Sequence, residues 1–112
     1  MREVTAKELA TAFKGILVDV EPVDYIGITF EMTKATVDYR EEDKELVFVT
    51  GNHNTDGGAA VIISEDWIDC IELDEEDNKY VISFVKNMSN IVVLKHKSLE
   101  ELEQERAERK LQ

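Results

Sequence analysis

The feature that most constrains the fold is an alternation of apolar and polar residues with a period of two, which begins after Gly15 and recurs in short segments. Between Tyr25 and Met32, for example, every second residue is isoleucine, phenylalanine or methionine. Successive residues of a strand point to opposite faces of a sheet, so this pattern predicts strands with one buried face, as in antiparallel sheets. The candidate strands are Ile16–Val20, Tyr25–Met32, Ala35–Arg40, Leu46–Thr50, Ala59–Ser64, Ile68–Leu73, Lys79–Val85 and Ile91–His96.

The segments between these strands are short and polar: EPVD, REEDKE, GNHNTDGG, SED, DEEDN and KNMSN. Connections of this length join neighbouring strands as hairpins, and they leave no room for the crossover helices that a parallel sheet requires. A doubly wound nucleotide-binding sheet is therefore excluded.

Helix signals occur at both ends of the chain. Thr5 and Glu8 have the spacing of a capping box, and Gly15 stands where a short helix would end. Ser98 and Glu101 form a second capping box, followed by a charged segment with few apolar residues. We expect a short N-terminal helix packed on the sheet and a charged C-terminal helix that docks by its first turn and then projects.

The length of 112 residues suits one domain with one core. The predicted fold is a single α+β domain over residues 1–97, mainly an antiparallel sheet of six to eight short strands in hairpins, followed by a C-terminal helix over 98–112. A curled sheet and a partial barrel are both compatible with this pattern.

The chain has no apolar run near the roughly 20 residues of a membrane span, and its first residues lack the order of a signal peptide. We therefore expect a cytoplasmic protein. The single cysteine, Cys70, lies in the apolar-rich run WIDCIEL, which favours a small buried core residue over a reactive thiol.

The glycine-rich stretch TGNHNTDGGAA, residues 50–60, is the part of the sequence that most resembles a ligand site. The first half of the EF-hand spacing is matched by Asn52, Asn54, Asp56 and Gly57. The position of the bidentate glutamate is occupied by Ile63, however, and neither a lysine nor a helix follows as a phosphate loop requires. His53 has no evident catalytic partner. We predict a hairpin connection, with no metal, no cofactor and no catalytic residue, and therefore not an enzyme.

The net charge of −12 is concentrated in the middle of the chain. Residues 38–77 carry 14 acidic side chains against two basic ones, whereas residues 1–37 have a net charge of −2 and residues 78–112 a net charge of +2. Direct binding to nucleic acid is disfavoured because phosphates need lysine and arginine. The natural partner of such a region is a basic protein.

The candidate partner-binding residues lie in the acidic segments REEDKE, SEDWID and ELDEEDN. Trp67 is included as an anchor for a partner, with a core tryptophan as the alternative. Acidic turns that serve only solubility are the other interpretation of the charges. The candidates are Glu41, Glu42, Asp43, Glu65, Asp66, Trp67, Asp69, Asp74, Glu75, Glu76 and Asp77.

In size, charge and lack of catalytic motifs, the chain resembles small acidic inhibitors encoded by phages and mobile elements, including the anti-CRISPR inhibitors of Cas nucleases. The resemblance implies a non-catalytic binding protein that acts as a nucleic-acid mimic on a basic, nucleic-acid-binding partner. The alternative is a structural or adaptor module that assembles through a sheet edge or the C-terminal helix. Both a monomer and a homodimer are compatible with the sequence, and no contact with a membrane is expected.

Overall fold

The computed structural model describes residues 1–23, 30–51, 58–87 and 90–110, and within them it shows one antiparallel sheet of eight strands with two helices. The strands are β1 (Arg2–Val4), β2 (Val18–Pro22), β3 (Met32–Arg40), β4 (Glu45–Thr50), β5 (Ala60–Ser64), β6 (Ile68–Asp74), β7 (Lys79–Phe84) and β8 (Asn90–Lys95). The helices are α1 (Ala6–Ala12) and α2 (Leu99–Lys110), and short 3₁₀ turns span Glu65–Trp67 and Val85–Asn87. The predicted α+β fold is confirmed.

The order of strands across the sheet is β1-β6-β7-β8-β2-β3-β4-β5, and the described pairings leave β1 and β5 as its edges without closing a barrel. Most short connections are hairpins, as predicted: β3 pairs with β4, β4 with β5, β6 with β7 and β7 with β8. The SED connector is the exception, and the expectation of a hairpin there is wrong. It joins β5 at one edge of the sheet to β6 near the other edge.

The sheet must curl because this connection is so short. On a flat sheet, the six steps from β5 to β6 would separate them by about 29 Å. Ser64 and Ile68 are only four residues apart, which limits their separation to about 14 Å. In agreement, Val61 and Ile63 of β5 pack in the same cluster as Ile71 of β6 and Ile82 of β7.

The helix α1 covers the inner face of the curled sheet. Its capping box is formed as predicted: the Thr5 backbone N–H donates to Glu8 Oε1 at 3.1 Å, and the Glu8 N–H donates to Thr5 Oγ1 at 3.1 Å. Leu9 is fully buried, and the ring of Phe13 meets that of Tyr80 edge-on, with 5.2 Å between the ring centroids. The apolar face of α1 thus joins the inner faces of strands from both halves of the sheet.

Three details differ from the sequence prediction. The strand β1 was not predicted; it is only three residues long, too short for a periodic pattern, and pairs with β6. The second strand begins at Val18, so Ile16 and Leu17 precede it. Most of the candidate strand Tyr25–Met32 lies outside the described residues, and Met32 begins β3.

The helix α2 begins after Ser98, whose Oγ accepts from the Glu101 N–H at 3.2 Å. Leu99 is 74% exposed, and Glu105, which pairs with Lys97, is half-buried. No helix in the described ranges is long and apolar enough to cross a membrane.

If α1 is essential to the core, Leu9→Ala should lower the free energy of unfolding by about 2–5 kcal/mol, because it leaves a cavity at a fully buried site. The matched control Leu99→Ala removes the same atoms from an exposed position, and it should change the free energy of unfolding by less than about 0.5 kcal/mol. Urea denaturation followed by circular dichroism measures both. Equal losses in the two variants would contradict the packing described for α1.

Candidate functional site

Five of the predicted acidic residues lie in two adjacent turns at one end of the β3–β4–β5 hairpins. Arg40, Glu45 and Ser64 stand opposite one another on the three strands, so the β3–β4 turn and the 3₁₀ turn lie side by side. The Glu65 backbone N–H donates to the Lys44 carbonyl at 2.9 Å and joins the two turns. We call this group the acidic end; it consists of Glu41, Glu42, Asp43, Glu65 and Asp66.

Two side-chain contacts hold parts of the acidic end in place. The Tyr39 hydroxyl donates to Glu65 Oε1 at 2.6 Å, and Lys7 of α1 pairs with Glu41. The hydrogen bond from Lys7, together with its charge, lowers the pKa of Glu41. Glu41 therefore stays ionised to lower pH than an isolated glutamate.

Asp69 lies beside the acidic end. Together with Glu3 and Glu65, it lines a cleft of about 240 Å³ between the β1–α1 junction and the start of β6. Cys70 lines the same cleft and is half-buried, so the expectation of a fully buried cysteine is wrong. The cause is the alternation of β6, in which Ile71 and Leu73 point into the core, whereas Cys70 lies on the opposite face with Glu72.

The other four acidic candidates form a separate group, the far turn, which consists of Asp74, Glu75, Glu76 and Asp77. Asp74 Oδ1 accepts from the backbone N–H groups of Glu76 and Asp77 at 3.2 and 3.3 Å. Asp74 follows Asp69 by five residues along β6, and the rise of an extended strand separates them by roughly 17 Å. We expected the acidic turns to gather in space, and the structure instead divides them into two groups.

The far turn is also partly neutralised by basic residues. Arg2 Nε lies 3.4 Å from Glu75 Oε1, and Lys79 Nζ lies 3.6 Å from Asp77 Oδ2. Because these pairs are largely exposed, we assign them little stability. They nevertheless reduce the charge that the far turn presents.

An apolar groove of about 470 Å³ adjoins the acidic end. Trp67, at the end of the 3₁₀ turn, lines the groove and is 51% exposed, so the alternative of a core tryptophan is wrong. Ile62 is equally exposed. The lining residues are Phe30, Glu45, Val61, Ile62, Ile63, Ser64, Trp67 and Phe84.

One side of β5, the strand that contributes Val61 to Ser64 to the groove, pairs with no described strand, and we call this side the open edge. The Thr50 N–H donates to the Ala59 carbonyl, and the Glu65 N–H to the Lys44 carbonyl, each at 2.9 Å. In an antiparallel ladder this orientation alternates along the strand, so Val61 and Ile63 bond to β4. Ala60, Ile62 and Ser64 must then direct their N–H and C=O groups toward the open edge.

Among the described residues, no three His, Cys, Asp or Glu side chains are placed to hold a metal ion. Within the loop that joins β4 to β5, His53 and the four EF-hand-like positions lie outside the described residues. The other histidine, His96, contacts Asp19 Oδ1 through Nδ1 at 2.8 Å, and the same oxygen accepts from the Lys34 N–H at 3.1 Å. This contact ties β2, β3 and the end of β8 together.

Sequence reasoning missed Glu45 and the groove. Glu45 was assigned to the connector REEDKE and not to the candidate residues, although it begins β4 and lines the groove opposite Ser64. The sequence offered a partial signal for the groove in the segment AVIIS, which has no charge, proline or glycine. Such a segment is unusual at the edge of a sheet and is notable only once its position is known. Only the strand order reveals that this segment is an edge.

The Glu65 carboxylate, by accepting the phenolic hydrogen bond, raises the pKa of Tyr39 to about 12. A raised pKa favours folding below the unfolded value of about 10, and this contribution disappears as pH rises through the folded value. Glu65→Gln should therefore shift the titration of Tyr39 back toward 10. Absorbance at alkaline pH, with Tyr39→Phe to identify the transition, measures this shift; an unchanged titration would contradict the contact.

Comparisons of the chain with protein-family models, with curated proteins and with solved structures found no match.

Proposed function

We propose that this chain is a non-catalytic, acidic binding protein that inhibits a basic nucleic-acid-binding protein by competing with DNA or RNA. A Cas nuclease is an example of such a partner, and a phage or mobile element an example of the origin. The observation that carries the proposal is the acidic end, where five carboxylates lie together beside a half-exposed tryptophan. A cytoplasmic location is part of the same proposal.

Electrostatics favour this partner. A groove that binds nucleic acid presents arginine and lysine side chains at the positions of phosphates. Carboxylates held at similar spacing pair with the same cations and also speed the encounter at low salt. Residues 38–77, with a net charge of −12, supply the long-range attraction.

The way in which the acidic end is held also supports binding. Its two turns are joined by the bond from Glu65 to Lys44, and Tyr39 fixes the Glu65 carboxylate. Side chains that are already ordered lose less conformational entropy when a partner binds. Trp67 adds an apolar anchor at the border of the charged group, an arrangement typical of binding hot spots.

The far turn is a second contact in this proposal. Lys7 binds Glu41 of the acidic end and Arg2 binds Glu75 of the far turn, so the N-terminal segment lies between the two groups. A basic partner that displaced Arg2 from Glu75 would gain access to the far turn. We therefore expect the residues of the far turn to contribute less to the affinity for the partner than those of the acidic end.

An adaptor module is the second candidate, and two observations favour it. The open edge of β5 could pair with another strand, and Leu99 and Leu102 of α2 are exposed. Assembly of this kind depends on apolar contact and backbone hydrogen bonds, so it should be insensitive to salt.

Charge reversal separates the two candidates. In the triple variant Glu42→Lys, Asp43→Lys, Asp66→Lys, three exposed carboxylates of the acidic end are reversed. The matched control, Glu100→Lys, Glu103→Lys, Glu108→Lys, makes the same change of net charge on exposed positions of α2. DNA cleavage by purified Cas nucleases, and binding of the chain to them, are measured at about 50 and about 500 mM salt.

We expect the acidic-end variant to lose at least about a hundredfold in affinity, the sum of several charge pairs, and the α2 control to lose less than about tenfold. The wild-type chain should bind at least about tenfold more weakly at high salt. Equal losses in the two variants, or binding that high salt leaves unchanged, would contradict the proposal.

A further inference from the structure

The two edges of the sheet differ in a way that solubility does not explain. The edge strand β1 is three residues long and carries Arg2 and Glu3, two features that normally protect an edge from pairing. The edge strand β5 has five residues and no charge, proline or glycine. Its central residue, Ile62, is 51% exposed. An edge that lacks these features, and with which no described strand pairs, is suited to the addition of another strand.

The side chains around β5 define what an added strand would contact. Its backbone would pair with the N–H and C=O groups of Ala60, Ile62 and Ser64. Because side chains alternate, every second residue of the added strand would point toward Phe30 and Phe84 in the groove. The residues between them would lie on the other face of the sheet, which carries Ile62, Ser64 and, at the border of the groove, Glu45.

The charges next to the groove select the chemistry of the occupant. The lining residues, their immediate neighbours in the described chain and the adjoining segment 40–45 include two bases, Arg40 and Lys44, and seven acids. The acids are Glu31, Glu41, Glu42, Asp43, Glu45, Glu65 and Asp66. A second copy of the chain would bring another net charge of −12 to this surface, which disfavours pairing between copies.

We propose that β5 and its groove bind an extended segment of the basic partner in which apolar residues alternate with lysine or arginine. The segment adds as a strand to the open edge, its apolar side chains fill the groove, and its cations face Glu45 and the acidic end. This inference rests on the proposed function and names the part of the partner that the site recognises.

The test uses a synthetic probe because it needs only the peptide chemistry. A fluorescent seven-residue peptide of alternating lysine and valine is titrated with the full chain, and its anisotropy is measured. A peptide with the same residues in blocks, four lysines followed by three valines, has the same charge without the alternation. Ile62→Pro removes one N–H from the open edge and leaves the bonds of Val61 and Ile63 to β4 intact, while Ile62→Ala keeps that N–H.

We expect the alternating peptide to bind at least about tenfold more tightly than the block peptide. Ile62→Pro should weaken its binding at least about tenfold, and Ile62→Ala by about threefold, with thermal unfolding confirming that both variants are folded. Equal affinity for the two peptides, or equal affinity of Ile62→Pro and Ile62→Ala, would overturn the inference. A dimer in sedimentation that Ile62→Pro dissociates would overturn it in favour of a second copy.

Failure of this inference is distinguishable from failure of the proposed function. One outcome is that charge reversal at the acidic end abolishes binding to a nuclease, whereas the variants Ile62→Pro and Trp67→Ala still bind it. In that case the acidic surface acts without the groove. The groove proposal is then wrong and the inhibitor proposal stands. If charge reversal has no effect, the inhibitor proposal itself is wrong.

Discussion

The 3₁₀ turn Glu65–Trp67 is the constraint on which the arrangement of the molecule depends. It joins β5, at one edge of the sheet, to β6, which lies six strand positions away. Three residues can bridge that separation only if the sheet curls until its two ends approach each other. The curled sheet then has an inner face, which the apolar side of α1 covers with Leu9 and Phe13.

The same turn places charge and apolar surface side by side. Glu65 and Asp66 lie against the β3–β4 turn because Ser64, which precedes them, stands opposite Glu45. Trp67 follows immediately and lines the groove between β5 and the end of β7. Between the approaching ends of the sheet, the described strands form no ladder, so β5 keeps an open edge next to the acidic end. A charged contact and a strand-pairing contact therefore adjoin each other on one surface.

Local patterns predicted the local structure well. The capping box of Thr5 and Glu8 depends on residues three apart, and both of its hydrogen bonds are present. The alternation in β3 to β8 depends on which side of a strand is buried, so it identified those strands to within a few residues. The acidic turns were recognised because charge and chain reversal occur in the same few residues.

What the sequence did not reveal is set by contacts between distant residues. Nothing in SED indicates that it crosses between the ends of the sheet instead of forming a hairpin, since a short polar link suits both. Trp67 has the same neighbours in sequence whether it is buried or exposed, so its half-exposure is visible only in the folded chain. The separation of the far turn from the acidic end, in contrast, follows from β6 alone, because the turn Glu65–Trp67 and the far turn lie at its two ends.

Amide hydrogen exchange along β5, resolved by residue with NMR, tests the central claim that this strand is an edge. Val61 and Ile63 donate to β4 and should exchange slowly, whereas Ile62 and Ser64 face the open edge and should exchange at least about a hundredfold faster. This alternation should disappear when a strand-forming partner binds. Slow exchange of Ile62 and Ser64 in the isolated monomer would show that the edge is already paired, and it would contradict the account.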